Sequence, residues 1–198
     1  MKYPAPFLPL FLARSSVLAV LLAGVAACSG DDGSGTDTTP VDTGDPPKTE
    51  LAEVYINEFM ASNTLTYADE GGAFPDWVEL YNASDFEADI SGWWITDDNG
   101  DIFKHRFAEG TTIPAGGYVV VFCDGDTAEG PLHTNFQLAA KGGEDLGLYG
   151  PNVLDNPEID SIDDFGVQAP DVSLARSPDG SSNWIVADTA TPGESNGG

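Results

Sequence analysis

The stretch GGAFPDWVELYNAS, residues 71–84, opens with turn formers and then alternates. From Asp76 to Asn82 the side chains read acid, aromatic, aliphatic, acid, aliphatic, aromatic, amide. In an extended chain successive side chains point to opposite faces. Val78 and Leu80 therefore share one face, and Trp77, Glu79 and Tyr81 share the other. The aliphatic pair is the natural core face, and the other three are expected to form an outer face available to a partner. Two carboxylates among aromatic rings also suggest a glycan-cleaving cleft. Asp76 and Glu79, however, are three apart and point to opposite faces. They cannot flank one glycosidic bond from this strand, where a retaining pair stands roughly 5 to 5.5 Å apart and an inverting pair roughly 6.5 to 9.5 Å. The stretch reads as scaffold. On that reading Leu80→Ala costs roughly 2 to 5 kcal/mol, and Glu79→Gln at an exposed site costs no more than roughly 0.5 kcal/mol.

The same signature recurs along the chain. Runs rich in Val, Ile, Tyr, Trp and Phe predict strands over 53–59, 76–82, 90–97, 102–107, 117–123, 135–139, 144–150 and 158–165, with a short closing element over 183–187. Gly, Pro, Asn and Asp clusters separate them, and no helical period of any length intervenes. Short strands at this spacing without crossover helices describe an all-β sandwich or barrel. About 148 residues suit one domain with its own core. DDNGD at 97–101 places Asp97, Asn99 and Asp101 at alternate positions, as a calcium loop begins. The bidentate Glu that completes an EF-hand is missing, and an Asn-Gly pair between two apolar runs is a strong hairpin signal. The hairpin is the expected structure, and weak calcium binding is compatible with it.

Before the domain, Lys2 and Arg14 precede an uncharged run that ends on small residues at Cys28. Its apolar part, Val17 to Ala27, is 11 residues. As a helix that is roughly 16 Å, against roughly 30 Å of bilayer core. Residues 1–27 thus read as a secretory leader. VAAC at 25–28 resembles a bacterial lipobox, which implies lipidation of Cys28. Ser29 in place of Asp then suggests outer-membrane rather than inner-membrane sorting. Residues 28–50 are acidic, with Val41 the only aliphatic side chain larger than a methyl from Ser29 to Glu50. This segment is expected to be a disordered tether, with a mean reach of roughly 25 Å. Residues 194–198 read as a polar tail.

The net charge of −26 over the chain excludes whole classes of partner. Nucleic-acid binding relies on cations that displace phosphate counterions, so none is expected, and neither is flat adsorption on anionic lipid. Divalent cations are plausible visitors. With only two cysteines and Cys28 in the leader's exit, no disulfide framework is expected, and Cys123 in YVVVFC reads as a small buried hydrophobe. His105 and His133 are the only imidazoles. They are isolated in sequence, with no His-Glu-x-x-His pair, and His105 is expected to face solvent or to be satisfied. No nucleophile elbow or phosphate-binding glycine loop is present. Catalytic residues are not assigned, and no cofactor is expected beyond the calcium just weighed. The sequon at Asn82 would matter only in a eukaryotic secretory pathway.

Several motifs occur together and in order: VYINEFMASN (54–63), DWVELYNAS (76–84), ISGWWITDD (90–98), IPAGGYVVVFCDG (113–125), LHTNFQLAAKGGEDLGLYGP (132–151), SIDDFG (161–166), and SLARSPDGSSNW (173–184) through TPG (191–193). In this they resemble the lamin tail domain. The resemblance spans 51–193 and implies an immunoglobulin-like β-sandwich without a common chemistry. The function it suggests is a lipid-anchored, non-enzymatic binding or structural module at a bacterial cell surface, contacting a protein or an envelope polymer. A calcium-dependent adhesion or matrix module is the alternative, and a cryptic hydrolase is a third reading.

Overall fold

The computed structural model describes residues 51–197; the expected leader (1–27), Cys28, the tether (28–50) and Gly198 lie outside the described residues. Eleven antiparallel strands and one short 3-10 turn, Asn152–Leu154, make up the domain, and no α-helix occurs among the described residues. The strands are β1 Val54–Met60, β2 Asp76–Asn82, β3 Ala88–Asp89, β4 Trp94–Thr96, β5 His105–Arg106 and β6 Thr112–Ile113. They continue with β7 Tyr118–Cys123, β8 Glu144–Tyr149, β9 Glu158–Phe165, β10 Ser173–Arg176 and β11 Trp184–Ala187. A five-stranded sheet of order β11-β10-β1-β2-β7 faces a four-stranded sheet of order β5-β4-β8-β9, and β3 pairs β6 at the rim.

The core lies between the two larger sheets. Ile56, Phe59, Val78, Leu80, Val121 and Cys123 come from one side and Ile95, Leu146, Leu148 and Phe165 from the other. This is the all-β sandwich expected from the alternation, and Val78 and Leu80 are both fully buried in it. Phe59 on the central strand β1 meets Phe165 at the end of the edge strand β9 edge-on at 5.1 Å, joining the two sheets.

Three features depart from the sequence reading. Residues 135–139 form no strand, since their only ladder contact is a bridge between Asp124 and Gln137. Ser173–Arg176 forms a strand where the apolar pattern predicts none, and Arg176 on it points inward. Its guanidinium donates to both oxygens of Asp160 at 2.9 and 3.0 Å and, through Nε, to the Ile56 carbonyl at 2.8 Å. Asp160 in turn accepts the Ile56 N–H at 2.8 Å. The ladder between β1 and β2 is irregular between Ile56 and Glu58. The Asp160–Arg176 pair thus satisfies both backbone groups of Ile56, next to the bulge, and ties β9 to β10 across the core. Finally, β4 and β5 do form a hairpin, with Trp94 opposite Arg106 and Ile95 opposite His105. The connection is a longer loop closed by an Asp101 N–H bond to the Asp98 carbonyl at 2.8 Å. Neither Asn99 nor Gly100 adopts a positive φ, so the pair does not form a two-residue primed turn.

Candidate functional site

The outer face of β2 is occupied by the chain itself. Trp77 and Glu79 are fully buried, which corrects the expectation that they offer a partner surface with Tyr81. The face assignment holds, because Trp77 sits apart from the main core in a second cluster with Met60 and Phe122, against Tyr67, Val120 and Ala190. The covering elements are distant in sequence: the loop after β1 and the C-terminal tail. Tyr81 alone stays half-buried, stacked on Tyr118 at 5.0 Å.

Beneath that tail lie two carboxylates. Glu58 and Glu79 are directly opposite on β1 and β2. Glu79 accepts from Asn57 Nδ2 at 3.0 Å and from the Gly193 N–H at 2.6 Å. Glu58 accepts from the Thr191 N–H and hydroxyl, both at 3.1 Å, and from Ser173 Oγ. Asp179 accepts from Asn57 Nδ2 at 3.0 Å, Tyr118 OH at 2.9 Å and the Asn196 N–H at 3.0 Å. The residues read as a polar tail are thus tied down as far as Gly197, whose carbonyl accepts from the Ser177 hydroxyl at 2.9 Å. Burial pushes Glu58 above its ordinary value and Glu79 up to about 7, against the pull of the hydrogen bonds each accepts. Asp76 accepts the Asn63 N–H at 3.2 Å on a different side, so it makes no catalytic pair with Glu79.

The three residues considered for calcium go to separate partners. Asp97 pairs with Lys104 at 2.6 Å. Asn99 donates to Asp163 at 2.9 Å and accepts from Tyr149 OH at 3.0 Å. Asp101 accepts the Phe103 N–H at 3.3 Å. Gly147 on β8 makes room for Asn99, since a Cβ there would run into its Oδ1. The loop is fitted to β8 rather than gathered around a common centre.

The two histidines are both buried. His105 neither faces solvent nor is fully satisfied, which corrects the expectation for it. Its Nε2 has no hydrogen-bond partner, its ring meets Phe107 edge-on at 5.8 Å, and burial lowers its pKa. His133 is 2% exposed and surrounded by carboxylates. Its backbone is pinned beside Phe122, which donates to the Leu132 carbonyl at 2.7 Å and accepts the Thr134 N–H at 2.8 Å. Nδ1 stands 2.5 Å from Asp124 Oδ2 and 3.6 Å from Glu129 Oε2, while Nε2 stands 3.2 Å from Glu70 Oε2. Burial alone would lower the His133 pKa, but the bonds to Asp124 and Glu70 outweigh it and hold the ring above its ordinary value. One ligand atom each from Asp124, Glu129 and His133 lies within 4.8 Å of the others. An open cleft of about 420 Å³ adjoins this cluster, lined by Tyr67, Glu70, Tyr118, Val120, Phe122 and Leu132. DGDTAEGPLH at 124–133 carries the sequence signal for the cluster, with Asp124, Glu129 and His133 spaced along one loop. Glu70, 63 residues before His133, had no such signal.

Among protein families, the model described as Lamin Tail Domain matches residues 47–166. Compared with curated proteins, the chain matches none. The family match covers β1 to β9, the greater part of both sheets. The chain belongs to the lamin tail domain family, whose immunoglobulin-like fold is non-catalytic and serves as a structural or binding module.

Proposed function

We propose that this is a non-enzymatic binding module held at the surface of a bacterial envelope by lipid on Cys28. Its outer-membrane placement follows the Ser29 reading, and its partner is a protein or an envelope polymer. The observation that carries the reading is the closure of the β2 face by the chain's own tail. Recognition then falls to the neighbouring cleft, where Tyr67, Tyr118 and Phe122 supply aromatic walls and Glu70 supplies charge. Aromatic side chains offer large contact area with little entropy to lose. The lipobox-like VAAC and the acidic segment after it support an anchor and a spacer.

Fractionation tests the anchor. Cys28→Ala is expected to move the protein from the membrane to the soluble fraction, because stable attachment needs two or more acyl chains and Cys28 is the residue proposed to carry them. Radiolabelled palmitate that stays on the Cys28→Ala protein would sink the reading. Cross-linked pull-down from native envelope, repeated with Tyr67→Ala, tests the cleft: the captured partner is expected to be lost in the variant.

A further inference from the structure

The loop that follows β7 presents an unbalanced charge. Glu70, Asp124 and Glu129 all face the His133 ring. Among the described residues no lysine or arginine pairs with any of the three. Even a fully protonated ring leaves two negative charges in excess. The ring itself is more than nine-tenths buried, its flanking residues Leu132 and Thr134 are hydrogen-bonded to Phe122, and both ring nitrogens are held by carboxylates.

We propose that Asp124, Glu129 and His133 Nδ1 bind a first-row divalent metal ion of the zinc type, with Glu70 holding the opposite nitrogen. Two carboxylate oxygens converge on Nδ1, and all three donor atoms lie within 4.8 Å of one another. Glu70 on Nε2 reproduces the outer partner that a metal-bound imidazole ordinarily keeps, fixing the tautomer and aiming the ring. The donor set selects the ion. Calcium prefers six to eight oxygens, whereas one imidazole with two carboxylates suits Zn²⁺ and its neighbours. Asp124 and Nδ1 now share a hydrogen bond at 2.5 Å. On loading, the Nδ1 proton passes to solvent and the ion takes its place. Donors roughly 2.1 Å from an ion stand further apart than that, so the Asp124 carboxylate draws back slightly. Glu129 is half-exposed at the loop's surface and can close onto the ion from outside. Three protein donors leave a fourth position for water or a partner's group.

The experiment is calorimetric titration of the full, purified chain with Zn²⁺, with Mn²⁺ and Ca²⁺ as parallel arms, alongside melting curves. The result does not depend on membrane attachment, so it can fail while the proposed anchoring stands, and the reverse. One Zn²⁺ per chain is expected, bound more tightly than Ca²⁺, with a raised melting temperature. Glu129→Gln should weaken binding at least tenfold in a chain that still gives a cooperative metal-free melt. Glu70→Gln should weaken it by roughly tenfold through the ring's orientation. His133→Ala should abolish it, and if that variant fails to fold, Glu129→Gln decides. Absence of saturable Zn²⁺ binding would overturn the proposal and leave the ring as an ion-paired clamp between loops. Zn²⁺ binding that both Gln variants leave within twofold, or tighter binding of Ca²⁺ than of Zn²⁺, would overturn it equally.

Discussion

Glu79 shows what a single residue can conceal. Its place on the outer face of β2 follows from alternation alone, yet its burial depends on Gly193 and Asn57, one of them 114 residues away. No local pattern announces a cover drawn from the other end of the chain. The consequence is measurable. Its folded pKa of about 7 stands above the ordinary 4.5 because burial penalises the charge. Between those values the folded chain keeps a proton that the unfolded chain has released. The contribution is therefore fully present below pH 4.5 and is lost as pH rises to about 7, a change of roughly 3 kcal/mol. Glu79→Gln cannot titrate. In urea melts at stepped pH, its stability relative to wild type should rise by about that amount between about pH 4.5 and about pH 8. At the acid end the variant should be the weaker, by about 1–3 kcal/mol, because one end of its amide must meet Asn57 or Gly193 donor to donor. A difference that does not change with pH would contradict the buried placement. The bound of 0.5 kcal/mol expected for an exposed site does not apply.

Among the elements, legibility followed apolar content. β2 and β9 are read to their exact limits and β7 to within one residue, since β2 shows the period of two and β7 and β9 are short runs rich in Val, Ile or aromatic residues bounded by turn formers. β3 and β6 are two residues each and leave no period to read. β10 escaped for a different reason: one of its two inward side chains is Arg176, which no alternation rule places in a core. Its charge is tolerated because Asp160 meets it, Trp184 lies under its guanidinium at 4.5 Å, and the Ile56 carbonyl takes its Nε–H. Arg176→Met should accordingly destabilise the domain by about 3 kcal/mol or more, leaving Asp160 without its countercharge. Adding Asp160→Asn should recover part of that loss, and a double-mutant cycle by chemical denaturation measures the coupling. If the second change only adds to the first, the pair is not a unit. Leu80→Ala, fully buried on β2, should cost roughly 2 to 5 kcal/mol by the same measurement.

For the whole molecule, charge and topology set the behaviour. Thirty-three acids against seven bases make self-repulsion a standing cost of the compact state. Raising sodium chloride from about 20 to about 500 mM should therefore raise the melting temperature by a few degrees, as screening shortens the reach of that repulsion. A fall would mean that specific pairs such as Asp160–Arg176 outweigh the general field. The sandwich and its family were legible because many strands voted together. Of the His133 cluster, the acids and imidazole of 124–133 lie along one legible loop, whereas Glu70 was not legible, because only the folded sheet brings its loop alongside. The sheet order has a mechanical consequence as well. β1 is the central strand of five, hydrogen-bonded to β10 on one side and β2 on the other, and Leu51 lies just before it. A force entering at that end pulls along β1 and must slide it against both neighbours at once, loading the bonds of two ladders in parallel rather than one after another. Held by its N-terminal side in a moving fluid, such a domain yields by shear rather than by unzipping, and Arg176 and Asp160, gripping the backbone at Ile56, act as the rivet across the slip plane.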